Sequence, residues 1–251
     1  MNDTKQFFYE KYDINVIILF IINLIEGWES CMKIFLIRHG ESIQNTKENY
    51  HLGLGDHKVY LSEKGKQQAD NAGKFLVDYI NEKSINMDNA VLWVSPYQRT
   101  RETAQIINKH LNIQNEREDI TLIEQRYGLF SDKEIKLIKE MYPDEFKFYD
   151  NYYQNDGKFY AKLPQGESPY DVALRTKQFL ETIFRDNYDP IFIVSHGTTI
   201  RTIIMNWFHY SPEWFNREPN MENCSIRLIE SSNRQSIESY IYGSPVKKLK
   251  K

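Results

Sequence analysis

Three short apolar runs in this chain end alike, each handing basic or nucleophilic residues to the segment that follows. Ile34 to Ile37 (IFLI) leads to Arg38, His39 and Gly40. Val91 to Val94 (VLWV) leads to Ser95, Pro96 and, one turn further on, Arg99. Ile191 to Val194 (IFIV) leads to Ser195, His196 and Gly197. Runs this short and this rich in Ile and Val are buried-strand signals, and stretches with apolar residues at helical spacing separate them. Ser62 reads as the N-cap of one such helix, with Glu63 in its first turn and Ala69, Ala72, Gly73, Leu76 and Ile80 along one stripe. A second helix starts near Tyr97 and aligns Ala104, Ile107 and Leu111; a later one carries Ile200, Ile203, Ile204 and Trp207. Strands alternating with helices point to a parallel sheet with crossover connections. Ligands bind at the carboxyl edge of such sheets, so the three polar endings can converge on one crevice.

Ile120 to Ile123 (ITLI) reads as a further strand, ending at Glu124 on the same edge, with Ser225 to Ile229 and Ser236 to Ile241 as closing strands. The expected fold is one α/β domain over residues 32–243, a three-layer α/β/α sandwich with a mostly parallel sheet. Between Gly128 and Pro169 the regularity fails. Two charged helical stretches and the aromatics Phe146, Phe148, Tyr149, Tyr152, Tyr153, Phe159 and Tyr160 take up more chain than a plain crossover needs. Residues 128–169 are therefore expected to be an insertion, a helical and aromatic lid above the carboxyl edge. Packing onto the main domain accounts for most of those aromatics more simply than substrate contact does. Residues 1–31 form an N-terminal extension, and 244–251, ending VKKLKK, a solvated basic tail.

Lys and Arg number 32 against 35 Asp and Glu, a net charge of −3 that gives no global attraction to nucleic acid or to an anionic membrane. The apolar run from Ile14 to Ile25 is too short to span a bilayer, and the acidic stretch before it does not suit a secretory signal. Cys31 and Cys224 form neither a disulfide framework nor a metal-ligand spacing, which fits a reduced, cytoplasmic compartment. His51, His57, His110 and His209 have no ligand spacing either, so neither a metal nor another cofactor is expected. Any anion site in this chain must therefore be local.

Arg38, Arg99, His39 and His196 on one edge would make a pocket for a doubly charged anion, because the planar guanidinium fork matches phosphate oxygens. Helix N-termini following Gly40 and Gly197 could add backbone N–H donors. A carboxyl at Glu124 sits badly beside a phosphate unless it is protonated or turned towards a leaving group, which is the position of a general acid. A neutral imidazole flanked by arginines can attack phosphorus, since neighbouring positive charge disfavours its protonation. Spacing alone does not choose between His39 and His196 as the nucleophile.

Arg38-His39-Gly40-Glu41-Ser42, Ser95-Pro96-Tyr97-Gln98-Arg99-Thr100, Glu124 and Ser195-His196-Gly197 together resemble the histidine phosphatase superfamily, whose members are also called phosphoglycerate mutase-like. The resemblance runs from Met32 to about Tyr242. Lys162 to Ser168 (KLPQGES) and Asn223-Cys224 look most like its branch of broad-range phosphatases. The resemblance implies that His39 is the phosphorylated nucleophile, that Arg38, Arg99 and His196 bind the phosphoryl group, and that Glu124 protonates the leaving oxygen. Asn45 matches a further phosphate-contacting position. The cofactor-dependent mutases of the superfamily usually follow RHGES with Trp-Asn and a Phe-x-Gly-Trp stretch, where this chain has Ile43-Gln44-Asn45 and Gly53-Leu54-Gly55-Asp56. The departure favours metal-independent hydrolysis of a phosphomonoester over isomerisation. A phosphoglycerate mutase and a non-catalytic phosphate-binding module stand as the alternatives. Glu41, Ser42 and Glu167 suit substrate contact and turn or supporting roles equally well.

Overall fold

A computed structural model describes residues 32–46, 55–232 and 235–246. The apolar run 14–25, with the rest of the N-terminal extension, and residues 247–251 lie outside the described residues. Met32–Arg38 (β1), Val91–Val94 (β2), Glu116–Glu118 (β3), Ile191–Ser195 (β4), Ile226–Ser232 (β5) and Gln235–Tyr242 (β6) form one sheet in the order β3-β2-β4-β1-β5-β6. The strands β3, β2, β4 and β1 are parallel; β5 runs antiparallel to β1, and β6 antiparallel to β5. The three strands with polar endings, β2, β4 and β1, are thus immediate neighbours.

The central strands are buried on both faces, which is why they read as unbroken apolar runs. On one face Phe35, Ile37, Leu92, Val94, Phe192 and Val194 pack against the helices Glu63–Glu82 (α1) and Gln98–Leu111 (α2). Phe35 and Phe192 face each other across the β1–β4 ladder with rings stacked at 4.6 Å. On the other face Ile34, Leu36, Val91, Trp93, Ile191 and Ile193 meet Phe179, Leu180 and Ile183 together with Ile200, Ile203 and Ile204. Ile135–Met141 (α3) and Pro143–Asp156 (α4) lie between the two halves of the chain; Pro169–Arg185 (α5), Gly197–Trp207 (α6) and Pro212–Arg217 (α7) complete the helices of the described residues. The three-layer arrangement expected from the sequence is the one observed. Ser62 caps α1, its hydroxyl accepting from the Gly65 amide at 3.0 Å.

Ile120–Ile123 is not a strand. The edge strand β3 lies just before it, and the amide of Asp119 makes the last bond of that edge, to the Val94 carbonyl at 3.1 Å. The Asp119 carboxylate then accepts from the Thr121 amide at 2.7 Å and turns Ile120–Leu122 into a 3₁₀ turn. In that turn Leu122 is buried, while Ile120 is 68% exposed. Among the described residues directly after Gly40, the chain makes a 3₁₀ turn, Ile43–Asn45, rather than an α-helix. Of the stretch 244–251, Ser244 and Val246 hydrogen-bond to Glu222, Ser225 and Asn220, so residues 244–246 pack with the domain rather than extending as tail.

In the segment 128–169, Phe130, Ile138 and Leu163 form a small core with Tyr142, Phe146 and Tyr149 against it, and Phe159 is buried on Phe215. Packing accounts for those aromatics. Phe148, Tyr152, Tyr153 and Tyr160 are exposed.

The chain leaving β1 touches the first turn of α1 backbone to backbone. A Cβ on Gly40 would stand 2.5 Å from the Gly65 carbonyl oxygen, and one on Gly65 would stand 2.0 Å from that of Glu41. Backbone cannot move aside as a side-chain tip can. Gly65→Ala is expected to lose about 1–3 kcal/mol of unfolding free energy, the usual cost of overpacking, as a lower urea midpoint at unchanged slope.

Candidate active site

His39 follows β1 directly, and its amide donates to the Ser195 carbonyl at 3.0 Å. The ring is 4% exposed, with Nδ1 2.7 Å from the carbonyl oxygen of Gly40. A carbonyl only accepts, so Nδ1 carries the proton and Nε2 keeps its lone pair. The His39 carbonyl is itself held, by the Asn223 side-chain amide at 3.0 Å and the Cys224 amide at 3.3 Å. His196 caps α6 and is fully buried, its ring centroid 5.1 Å from that of His39. Its Nε2 lies 2.8 Å from the Ser95 hydroxyl at the end of β2, whereas Nδ1 is buried with no hydrogen-bond partner among the described residues.

Two arginines set the electrostatics of this pair. Burial first, then the charges of Arg99 and Arg38, push the His39 pKa well below the ordinary imidazole value. His196 moves the same way, through burial, Arg99 and then His39. Arg38 donates Nη1 to the Met221 carbonyl, while its Nε is buried and without a partner among the described residues. Burial opposes the charge of Arg38, and Glu124 is its leading counter-charge. Arg99, on the first turn of α2, is 4% exposed and lies across the Tyr97 ring. Its Nη1 donates to the backbone carbonyl and to the carboxylate of Asp56, both at 2.8 Å, and Nη2 reaches the other carboxylate oxygen at 3.4 Å. Arg99 is thus already engaged by a carboxylate of the chain itself.

Glu124 follows the 3₁₀ turn. Its Oε1 accepts from the Gln125 amide at 2.9 Å and its Oε2 from the Thr198 amide, in the first turn of α6, at 3.4 Å. The N-terminus of α6 therefore faces a carboxylate. From Gly40 to Ile43 each amide is taken within the chain. Gly40 N donates to Thr103 Oγ1, Glu41 N to Gln68 Oε1, Ser42 N to Asn45 Oδ1 and Ile43 N to the Tyr60 carbonyl. The helix-terminus donors read from the sequence are corrected accordingly at Gly40.

The structure brings His39, His196, Arg38, Arg99 and Glu124 into one electrostatically coupled cluster. Asn45 Oδ1 accepts from the amide and the hydroxyl of Ser42, which leaves Nδ2 as its donor towards any anion. Glu41 takes a turn role, accepting from Ser62 and Lys64. Sequence reasoning left out Ser95 and Asp56 as partners of the cluster. Ser95 had a signal, since it ends a strand beside the other two. Asp56 had none, because it meets Arg99 from a loop 43 residues away.

The family model for the "Histidine phosphatase superfamily (branch 1)" matches residues 34–240. A phosphoglycerate mutase-like protein of Arabidopsis thaliana is 33% identical over 217 residues, 79% of this chain and 73% of its own length. A broad-range acid phosphatase of Saccharomyces cerevisiae is 24% identical over 293 residues, covering 83% of this chain and 87% of that protein. Among solved structures, a putative α-ribazole-5'-P phosphatase from Escherichia coli superposes with a TM-score of 0.68 at 18% identity, over 88% of this chain and all of that one. The Bacillus stearothermophilus protein YhfR does so with 0.65 at 24%, over 84% and 96%. These superpositions establish the shared fold.

Because the folded histidine pKa values lie below the unfolded value of about 6.5, the unfolded chain takes up protons first as pH falls. Stability is therefore expected to drop below about pH 6.5. In an NMR titration both rings should stay neutral through that value, and Arg99→Ala should move both midpoints upward by removing a nearby cation. A His39 midpoint at the ordinary imidazole value would contradict this electrostatic picture.

Proposed function

Since the chain belongs to the histidine phosphatase superfamily, we propose that it hydrolyses small phosphate monoesters, without a metal, through a phosphohistidine at Nε2 of His39. The observation that carries this reading is the Nδ1–H to Gly40 carbonyl bond, which fixes the tautomer and leaves Nε2 bare beside two guanidinium groups. In the first step Nε2 attacks phosphorus in line, and the bond from phosphorus to the ester oxygen breaks. Arg38, Arg99 and His196 carry the charge spread over the equatorial oxygens, and Asn45 Nδ2 is a further donor. For His196 to donate, its proton must sit on the unpartnered Nδ1, with the Ser95 hydroxyl donating to Nε2. The Glu124 carboxyl gives its proton to the departing oxygen; Oε2, with its long 3.4 Å contact, is the freer of its two oxygens. In the second step water attacks the phosphohistidine, Glu124 takes up the water's proton, the Nε2–phosphorus bond breaks, and inorganic phosphate leaves.

The similarity to the yeast protein named a broad-range acid phosphatase supports hydrolysis, as does the absence from the sequence of the mutase Trp-Asn and Phe-x-Gly-Trp stretches. The similarity to the Arabidopsis protein named phosphoglycerate mutase-like supports the isomerase reading. Accumulation of inorganic phosphate rather than an isomer from 3-phosphoglycerate separates the two. Segment 128–169, with four exposed aromatics, is the part of the chain we assign to leaving-group selection. Cysteine usage supports a cytoplasmic setting.

His39→Ala should abolish both turnover and the acid-labile phosphoryl label, in assays run with chelator present. Label persisting in that variant would refute the nucleophile. Glu124→Gln should lower single-turnover phosphorylation by alkyl phosphates by roughly 10²- to 10⁴-fold, with a distinctly smaller loss on p-nitrophenyl phosphate, whose phenolate leaves without a proton. Equal losses on the two esters would mean that Glu124 is not the acid.

A further inference from the structure

Glu124 stands on a segment with no strand ladder to hold it, and its neighbours' backbone groups are instead taken up by side chains. The Leu122 carbonyl accepts from Ser195 Oγ at 2.8 Å and that of Ile123 from Thr199 Oγ1 at 2.6 Å. These bonds tie the middle of the segment to β4 and α6. Its two ends converge on a single guanidinium. Arg175 on α5 donates Nη1 to the Thr121 carbonyl at 2.5 Å and Nη2 to the Glu124 carbonyl at 3.2 Å.

The same guanidinium is locked to Glu167, with Nε on Oε1 at 3.1 Å and Nη2 near Oε2 at 3.3 Å. Glu167 Oε2 then accepts from the Arg126 amide at 2.9 Å, two residues beyond Glu124, and the Glu167 carbonyl accepts from the Gln125 side chain at 2.7 Å. Both side chains are largely buried. Glu167 is itself placed by a capping box, because Ser168 and Asp171 exchange hydrogen bonds at the start of α5.

We propose that the Glu167–Arg175 pair is the positioning device for Glu124, gripping the backbone on both sides of that residue so that its carboxyl meets the leaving oxygen. The proposal rests on Glu124 being the proton donor, as argued above. A guanidinium is required because four directional N–H bonds go to three groups fixed in the chain, and a lysine ammonium cannot reproduce that fork. The Ser195 and Thr199 bonds, the Gln125 bond to the Glu167 carbonyl and the Glu167 amide bond to the Arg126 carbonyl at 2.8 Å persist without the pair's side chains, so the segment stays docked while the Glu124 carbonyl and the Arg126 amide lose their partners. An offset of about 1 Å at the reacting centre costs about 10²-fold in rate.

The test measures single-turnover phosphorylation by an alkyl phosphate and by p-nitrophenyl phosphate in Arg175→Lys, Glu167→Gln and Glu124→Gln, and in each of the first two combined with the third. Arg175→Lys and Glu167→Gln are expected to slow the alkyl ester by roughly 10- to 10²-fold and the nitrophenyl ester by a clearly smaller factor. In the Glu124→Gln background neither should change the ratio further. Glu167→Gln keeps the shape and one acceptor, and it carries the test if Arg175→Lys fails to fold. Equal losses on both esters in folded variants, or effects that multiply with Glu124→Gln, would overturn the positioning role while leaving Glu124 as the acid. An unchanged ester ratio in Glu124→Gln alone would overturn the acid assignment and this proposal with it.

Discussion

The hydrogen bond from the His39 amide to the Ser195 carbonyl is both the last rung between β1 and β4 and the first contact of the site. The equivalent rung on the other side of β4, from the Ser95 amide to the Val194 carbonyl, brings the end of β2 level with them. Backbone geometry at the carboxyl edge therefore sets the distances between His39, His196 and Ser95 before any side chain is considered. The buried strands below cannot slip, because a shift of one residue would exchange the α1–α2 face for the α5–α6 face along each of them. A site built on such rungs is positioned by the whole core.

Charge in this site is managed by burial. Two imidazoles beside two guanidinium groups are kept neutral, and neutrality makes a histidine useful as a nucleophile. The opposing demand is that a guanidinium removed from water needs acceptors. Arg38 finds a carbonyl and the nearby charge of Glu124, and Arg99 finds Asp56. The carboxylates close to the cationic pocket thus have a structural reason to be there, independent of any chemistry they perform.

Strands with both faces buried were plain in the sequence, because burial leaves an unbroken apolar signature. IFLI, VLWV and IFIV became β1, β2 and β4, and Ser62 capped α1 as read. The edge strand β3, with the sequence Glu-Arg-Glu, carries no such signature, since an edge is kept charged. The apolar ITLI beside it was read as the strand in its place, although the Asx-type bond of Asp119 takes the chain out of the sheet there. The cluster of His39, His196, Arg38, Arg99 and Glu124 was legible because each residue lies at the end of a strand, just past a strand or turn, or in the first turn of the helix that follows. Asp56 and Arg175 were not, and Glu167 stood out without its partners, because those partners come from elements that only the fold brings together and periodicity says nothing about them.

Asp56 gives the pocket an unusual zero point. With its carboxylate already on Arg99, an anion bound there as proposed above would meet a cation already paired, so binding would be an exchange and the affinity would measure a difference between two anions. A neutral group has nothing with which to displace a carboxylate, and a singly charged group gains little by doing so. A phosphate dianion, with more charge and more acceptor oxygens, gains most. On the proposed function, occupancy by an internal anion would thus act as a threshold filter on ligand charge, one set by the chain before any part of a ligand beyond its anionic group is read.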